Sequence, residues 1–364
     1  MVAPRAAADL KDRVKGMNYR SLADLNDAIL RNLHGLPRDI DLVVGIPRSG
    51  LLAANLFSLV TNIPLADLDS FLDGRLHTSG TTKRHKGLDR DLADMRRILI
   101  LDDSIFSGNA MREARLRVEA SGIAEKTGAE IIFAAVYGSE ASYPEADFIF
   151  ERVKSPRIFQ WNFMHHVVLE ESCVDIDGVL CLDPTEEQND DGEAYRRFLT
   201  EALPLHATSR RLGWLVTSRL EKYRPETEAW LKAQGIEYGQ LVMLDLPSKA
   251  ERQRLGAHGT FKAEFYRNSN ASLFIESEHR QARTIARLSG KPVLCVETHQ
   301  ICMPDSLSPV AMRQQMRNMP TRLKQRAHGT GRRIKGVARG LMGDTAYLAL
   351  KNLVRPQPKS QTRS

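Results

Sequence analysis

Residues 98–110 read ILILDDSIFSGNA, an apolar run that ends in two carboxylates and passes into a polar loop with one glycine. The spacing predicts a buried strand over Arg97–Leu101 and a helix over Asn109–Ser121. In open parallel sheets, ligands bind beyond the carboxyl ends of the strands. A helix N-terminus offers N–H groups to phosphate, and the paired acids suit a sugar diol or hydrated magnesium. The stretch therefore predicts a sugar-phosphate site at a sheet edge.

The same alternation of apolar runs and mixed stretches continues through the first half of the chain. Further strands are predicted at Asp41–Ile46, Ile131–Tyr137 and Asp147–Glu151, and a helix at Ser49–Thr61. Strands that alternate with helices indicate a parallel sheet with right-handed crossovers.

The pattern then restarts. The second set of predicted strands is Val167–Ile176, Gly213–Thr217, Gln240–Leu244, Ala271–Glu276 and Pro292–Glu297, and the helices between them are Gly192–Leu203, Arg224–Gln234 and Glu278–Ser289. The fold class is therefore α/β, with two consecutive parallel-sheet domains. We place the boundary near Arg157–His165, which gives domains at 1–160 and 161–302 and a basic tail at 303–364.

The first motif resembles the PRPP-binding signature of type I phosphoribosyltransferases, and this resemblance implies that fold for the first domain. It implies that Asp102 and Asp103 hold the ribose hydroxyls of PRPP. The other PRPP-binding residues that it implies are Ser104, Ser107, Gly108 and Asn109 at the 5-phosphate, and Arg48, Ser49 and Gly50 in a pyrophosphate loop after the first strand. Phe106 and Ala110 depart from the small and hydroxyl residues usual in the family. The polar stretch 73–90 is interpreted as a solvated loop or as a lid over pyrophosphate.

A second motif, VDIDGVL at residues 174–180, follows another apolar run. Two aspartates at i and i+2 can reach one site if the chain turns, which Gly178 permits. One carboxylate can attack phosphorus while the other transfers a proton. The motif resembles motif I of haloacid dehalogenase (HAD)-type phosphatases, which implies a HAD-like Rossmannoid fold with Asp175 as the nucleophile and Asp177 as the general acid and base.

The remaining motifs of that superfamily follow in order. Thr217, at the end of a predicted strand, matches the residue that binds the transferring phosphoryl group, and Lys262 matches the motif III lysine, for which Lys249 competes. The resemblance implies a Mg²⁺ cofactor, and the implied metal ligands are Asp175, Asp177, Glu276 and Glu278. The family prefers aspartate where this chain has Glu276. The acidic stretch 183–193 is expected to be a surface loop, with a small cap that restricts the phosphatase entrance as the alternative.

The fusion of the two motif sets implies phosphoribosyl transfer followed by loss of the 5-phosphate. Such a layout resembles bacterial bifunctional proteins that build ribofuranose into surface polysaccharides, so the expected partners are PRPP and a glycan acceptor. Three alternatives are considered. One is a nucleobase phosphoribosyltransferase, orotate- or purine-type, with an accessory phosphatase. Another is a PRPP-sensing regulator that binds RNA. The third is a first domain that has lost its activity and only docks the phosphatase, against which the intact Asp102–Asp103 pair argues.

Charge and cysteine usage bear on location and partners. The net charge is +7, but 13 Lys or Arg residues against one acid, Asp344, lie at 310–364, so the body is mildly acidic. The basic and apolar mix of the tail suits peripheral contact with anionic membrane, and the alternative is a solvated tail without a partner. Its only aromatic residue is Tyr347, which argues against nucleic acid as the partner. The four cysteines lack metal-ligand spacing and no secretion signal is apparent, so a cytoplasmic location is expected, at the inner face of the membrane if the tail binds there.

Overall fold

Two parallel β-sheets carry the motifs found in the sequence. The computed structural model describes residues 17–77 and 91–304. Its first half contains, in order, β1 (Asn18–Arg20), α1 (Leu22–Asn32), β2 (Leu42–Gly45), α2 (Ser49–Thr61), β3 (Leu65–Asp67), α3 (Leu68–Leu72), β4 (Arg97–Ile105), α4 (Asn109–Ser121), α5 (Ile123–Thr127), β5 (Glu130–Gly138), β6 (Phe148–Arg152) and β7 (Arg157–Phe159). The second half continues with β8 (Ser172–Val174), α6 (Glu193–Glu201), β9 (Leu212–Leu220), α7 (Arg224–Ala233), β10 (Tyr238–Leu244), α8 (Lys249–Leu255), α9 (Ala257–Asn268), β11 (Leu273–Glu276), α10 (His279–Ser289), β12 (Val293–Cys295) and β13 (Gln300–Cys302).

The first sheet has the order β3-β2-β4-β5-β6, and all its strands are parallel. β4 lies at its centre, and residues 98–103 of this strand are all buried. Such continuous burial requires helices on both faces of the sheet. The order brings the carboxyl ends of β2, β4 and β5 together at one edge. The predicted α/β class with parallel sheets is thus confirmed.

The second sheet has the order β10-β9-β8-β11-β12-β13, in which only β13 runs antiparallel to its neighbour. β8, which leads into Asp175, lies between β9 and β11. The residues that follow these three strands therefore meet at one edge. All four cysteines are buried free thiols. No helix within 17–77 or 91–304 is both long and apolar enough to cross a bilayer.

The strand predicted over Val167–Ile176 is wrong in its first half. Val167–Glu171 forms a 3₁₀ helix, and β8 begins only at Ser172. The His166 side chain accepts a hydrogen bond from the backbone N–H of Val168 at 3.1 Å and so caps this turn. Ser172 Oγ donates to the Val168 carbonyl at 2.6 Å. These local hydrogen bonds satisfy backbone groups that a strand would have paired, so the apolar run turns before it enters the sheet.

A two-stranded ribbon of β1 and β7 lies outside both sheets, and it was not predicted. The strands are parallel, with Tyr19 opposite Ile158 and Arg20 opposite Phe159. Tyr19 and Ile158 join the apolar core of the second sheet, whereas Phe159 joins a core of the first. Successive strand residues point to opposite faces, so this short ribbon packs against both cores.

Candidate functional site

The paired acids of the first site end the central strand of the first sheet. Asp102 and Asp103 are 8% and 2% exposed. Asp102 Oδ1 accepts the backbone N–H of Asp103 at 2.8 Å. Burial, and then the charge of Asp103, raises the pKa of Asp102 well above its usual range. Two carboxylates this close favour a ligand that brings donors or positive charge, such as a diol or a cation.

Gly50, in the first turn of α2, packs directly against Asp102. A Cβ at this position would lie 2.9 Å from both Asp102 Oδ1 and the Leu101 carbonyl oxygen. Only glycine allows this approach without a shift of the acid. Ser49 opens the same helix, and Arg48 before it is exposed. The structure therefore brings the predicted pyrophosphate loop beside the predicted ribose acids.

The predicted phosphate loop connects β4 to α4. Gly108 has a φ of 79°, in the left-handed region that favours glycine, and the helix begins at Asn109. The Glu145 carboxylate lies over this glycine, because its Oε2 would be 2.7 Å from a Cβ there. Ser104 is half-buried, Ser107 and Asn109 are exposed, and the Phe106 ring is 67% exposed. The hydroxyls and the helix N-terminus can hold a phosphate. The proposed lid falls largely on residues 78–90, which lie outside the described residues.

The ribbon reaches the same acids from another side. Trp161 Nε1, two residues after β7, donates to Asp103 Oδ2 at 2.8 Å. Arg157 Nη2 donates to the Ile105 carbonyl at 2.7 Å. Sequence reasoning missed both residues because the segment was interpreted only as a domain boundary. An arginine and a tryptophan in a supposed linker were the available signal.

In the second site, one lysine joins two acids from different strands. Lys262 Nζ, from α9, lies 2.5 Å from Asp175 Oδ2 and 2.9 Å from Glu276 Oε2. All three side chains are buried. Burial raises the pKa of Asp175, and the positive charge of Lys262 counteracts that rise. Thr217, near the end of the adjacent strand β9, is fully buried.

The competing lysine lies elsewhere. Lys249 begins α8, and its Nζ donates to the carbonyl of Asn189 in the acidic loop. Lys262 is thus the lysine at the acids that follow β8 and β11.

Asp177 is paired with Arg219 of β9. Arg219 Nη2 lies 2.6 Å from Asp177 Oδ1, and Nε lies 3.2 Å from Oδ2. Burial by itself would raise the pKa of Asp177, but the charge and hydrogen bonds of Arg219 hold it below its usual value. The Cys181 thiol lies 3.5 Å from Asp177 Oδ1. The sequence offered Arg219 as a residue that binds distal groups of the substrate or caps a helix, and its pairing with Asp177 was not predicted. No role was assigned to Cys181.

The four predicted metal ligands are not equivalent in the structure. Asp175 and Glu276 meet at Lys262, whereas both oxygens of Asp177 bind Arg219. Glu278 occupies the N-cap position of α10, and its Oε2 accepts from the Gln281 side chain at 2.8 Å. No group of three metal-ligating side chains occurs in the described part of the chain. The carboxylate oxygens of Asp175 and Glu276 nevertheless suit magnesium, which binds few carboxylates and keeps several waters.

A further acid, Asp183, lies beside this centre. Its Oδ2 would be 2.7 Å from a Cβ on Gly178, whose φ is 71°. Partial burial, followed by the charges of Asp177 and Glu276, raises the pKa of Asp183. The acidic stretch was expected to be a surface loop, and Asp183 is exposed, yet it lies near enough to Asp177 and Glu276 to feel their charges. Its position directly after the second motif was the only signal in the sequence.

Comparison with known proteins bears on the first half of the chain. Residues 18–170 match the family model described as the phosphoribosyl transferase domain. The matched range includes both strands of the ribbon. No curated protein matches the chain.

Several solved structures are similar to it. The purine phosphoribosyltransferase of Pyrococcus horikoshii is 21% identical and covers 40% of this chain and 93% of its own, with a TM-score of 0.28. The xanthine-guanine-hypoxanthine phosphoribosyltransferase of Helicobacter pylori is 14% identical and covers 40% and 92%, with a TM-score of 0.29. The adenine phosphoribosyltransferase of Rhodothermus marinus is 20% identical and covers 32% and 66%, with a TM-score of 0.20. On the family match, residues 18–170 form a phosphoribosyltransferase domain that uses PRPP.

Proposed function

We propose that this protein transfers the 5-phosphoribosyl group of PRPP to a glycan acceptor and then removes the 5-phosphate at a second, HAD-type site. The observation that carries the second activity is Lys262, which lies between Asp175 and Glu276 at the carboxyl ends of two parallel strands. A buried ammonium between two carboxylates balances their charge and leaves an anionic nucleophile where a phosphoryl group can approach.

The transfer step uses the acids at the end of β4. Asp102 and Asp103 hold the ribose hydroxyls, and the 104–109 loop holds the 5-phosphate. The bond between the anomeric carbon and the pyrophosphate oxygen breaks, and its electron pair leaves with pyrophosphate beside Arg48 and Gly50. An acceptor oxygen then bonds to the anomeric carbon, and its proton passes to the departing pyrophosphate. The contribution of the protein is mainly electrostatic, through cations at the leaving group and acids at the sugar.

The second step uses the acids of the second sheet. Asp175 attacks phosphorus and the bond to the sugar oxygen breaks. That oxygen takes a proton from Asp177, which must first release one of its contacts to Arg219 and become protonated when the substrate binds. Water then attacks the phosphorus of the aspartyl-phosphate, returns a proton to Asp177 and releases phosphate. Lys262 orients Asp175, and Thr217 binds the transferring phosphoryl oxygens. Magnesium held by Asp175 and Glu276, with water as the other ligand, would neutralise charge on the phosphoryl group.

The pairing of the two activities favours a ribosylated glycan. Salvage of free bases keeps the nucleotide phosphate, so a phosphatase on the same chain would work against it. A ribofuranosylated polysaccharide requires that phosphate to be removed. On this view the protein acts in the cytoplasm, and the basic tail at 303–364 binds anionic membrane where a lipid-linked glycan grows. Residues 305–364 lie outside the described residues.

Mass spectrometry of the products tests this function. The protein is incubated with PRPP, Mg²⁺ and a panel of neutral and acidic glycans and nucleobases. We expect release of both pyrophosphate and phosphate, and a glycan heavier by one unphosphorylated pentose. A nucleotide product that keeps its phosphate would instead establish the nucleobase alternative. PRPP binding with no pyrophosphate release under any condition would favour the regulator.

A further inference from the structure

Arg157 is a buried cation for which the described residues provide no ion pair. It is 7% exposed and lies at the first residue of β7. Its described hydrogen-bond acceptors are two backbone carbonyls, that of Ile105 at 2.7 Å and that of Tyr137 at 3.5 Å. Burial lowers the pKa of Arg157, although Asp103 is near enough to raise it. A guanidinium has five N–H donors, so two carbonyl acceptors leave capacity for a further ligand.

Arg157 belongs to the ribbon, and the ribbon lies on the side of the sugar site from which we expect the acceptor to enter. Gly50 of the predicted pyrophosphate loop packs against Asp102. The ribbon reaches the other acid, Asp103, through Trp161 at 2.8 Å. In a displacement at the anomeric carbon, the nucleophile enters on the face opposite to the leaving group. If pyrophosphate leaves on the Gly50 side, the acceptor enters on the ribbon side, where Arg157 lies.

An exposed aromatic ring completes this side. The Arg157 guanidinium lies 5.8 Å from the Phe106 ring centroid and 5.4 Å from that of Phe159. Phe159 stacks on Trp161 with centroids 4.8 Å apart. Phe106 is 67% exposed, so its ring is free to pack against a ligand that also reaches Arg157. Phe106 is also the residue of the phosphate loop that replaces the small residue usual in type I phosphoribosyltransferases.

We propose that Arg157 and Phe106 form the acceptor subsite of the transferase and that the acceptor carries an anionic group, a carboxylate or phosphate, which Arg157 binds. Phe106 packs against the ring of the same acceptor. This inference rests on the proposed phosphoribosyl transfer and narrows its acceptor to acidic compounds. Among glycans it selects those with a uronic acid or phosphorylated residue. Among nucleobases it selects carboxylated ones.

The geometry also fits a simpler role, in which Arg157 only joins the ribbon to the ends of β4 and β5. That role requires the two carbonyl contacts and nothing else, and it predicts no dependence on the charge of the acceptor. The subsite predicts such a dependence, because a hydrogen bond to a charged partner contributes more than one to a neutral partner. Preference between matched acceptors therefore separates the two roles.

The experiment measures acceptor binding by calorimetry in the presence of PRPP and Mg²⁺, together with pyrophosphate release. The probes are matched pairs that differ in one carboxylate, a disaccharide ending in glucuronic acid against one ending in glucose, and orotate against uracil. We expect the wild-type protein to prefer the carboxylated member of one pair by about tenfold or more. The pair that shows the preference identifies a glycan or a base as the source. Equal binding within both pairs, or binding of no probe, overturns the proposal.

Variants assign the preference to the two residues. Arg157→Gln should reduce the preference to less than about threefold, and Arg157→Lys should retain part of it, because lysine keeps the charge but not the planar fork. Phe106→Ala should weaken both members of a pair alike. Arg152→Gln is the matched control, since Arg152 also donates to a carbonyl near the end of β5 but pairs with Glu140.

An unchanged preference in Arg157→Gln would contradict the assignment. If that variant does not fold, the Lys variant and the wild-type comparison decide the matter. Preferential binding without pyrophosphate release would contradict the transfer function and leave the anion subsite intact.

Discussion

Arg219 binds both carboxylate oxygens of Asp177, with Nη2 at 2.6 Å from Oδ1 and Nε at 3.2 Å from Oδ2. The arginine is completely buried, and its Nη1 also donates to Thr227 Oγ1 at 3.4 Å. The pair fixes the Asp177 side chain, whose charge also acts on Asp175. It also occupies the lone pairs that a metal ion would need.

Removal of one member of this pair should destabilise the protein. Arg219→Met leaves the Asp177 charge buried without its partner, so we expect the free energy of unfolding to fall by about 3–5 kcal/mol. The double variant Arg219→Met with Asp177→Asn should lose less than the sum of the two single changes. Urea denaturation of the four proteins measures this difference. Additive losses would show that the two side chains do not stabilise one another.

Asp175→Asn should abolish phosphate release, because a neutral amide cannot act as the attacking oxygen anion. If transfer precedes dephosphorylation, this variant should accumulate an acceptor that bears ribose 5-phosphate, detected by mass spectrometry. Asp190→Asn is a suitable control, since Asp190 lies in the acidic loop and accepts the backbone N–H of Gly192. Dephosphorylated product at the wild-type rate from Asp175→Asn would remove Asp175 from its proposed role.

Gly50→Ala should impair PRPP use through Asp102. The added methyl would lie 2.9 Å from Asp102 Oδ1, so the acid must move. A displacement of about 1 Å in a positioning group can cost roughly a hundredfold in rate, and we expect a loss of tenfold or more in kcat/KM for PRPP. Gly35→Ala provides the control, because a Cβ there meets nothing within 4 Å. Equal kinetics in the two variants would argue against a role for this close approach.

Replacement of both Asp102 and Asp103 by asparagine should abolish PRPP consumption and spare the other activity. The acids and the second centre belong to different sheets, so hydrolysis of a small phosphate ester such as p-nitrophenyl phosphate should continue. Pyrophosphate release and p-nitrophenol release are measured on the same preparation. Loss of both activities at unchanged thermal stability would indicate one composite site.

A chain that ends at Met303 should keep both activities on short, water-soluble acceptors, because every proposed site residue precedes that point. It should no longer bind vesicles with anionic lipid, since the cut removes 13 basic residues against Asp305 and Asp344. Binding by the full chain should weaken with salt, because the Debye length falls from about 10 Å at 0.1 M to about 3 Å at 1 M. Vesicle sedimentation of both proteins at the two salt concentrations checks this. Equal sedimentation would mean that the tail is not a membrane anchor.

Sequence periodicity predicted those helices and strands whose formation depends on residues close together in the sequence. The helix Asn109–Ser121 has the predicted bounds, because apolar spacing and glycines at both ends act locally. The resemblance to HAD-type phosphatases predicted that Asp175 and Glu276 share a site, and the structure places them at the carboxyl ends of parallel strands. The sequence could not predict the Arg219–Asp177 pair, which depends on the direction of two side chains from different strands. The ribbon was missed because β1 and β7 have only three residues each. All the strands of the first sheet lie between them in the sequence.

The ribbon also bears on how the chain folds as it is synthesised. β1 emerges first, yet its hydrogen-bonding partner β7 begins only at Arg157. At usual translation rates the gap lasts on the order of ten seconds, during which β1 is an unpaired edge. Tyr19 is buried later still, because it packs in the apolar core of the second sheet, which is synthesised after β7. A nascent chain released before Phe159 would therefore lack the partner of β1, and the unpaired edge of that strand could pair with another chain.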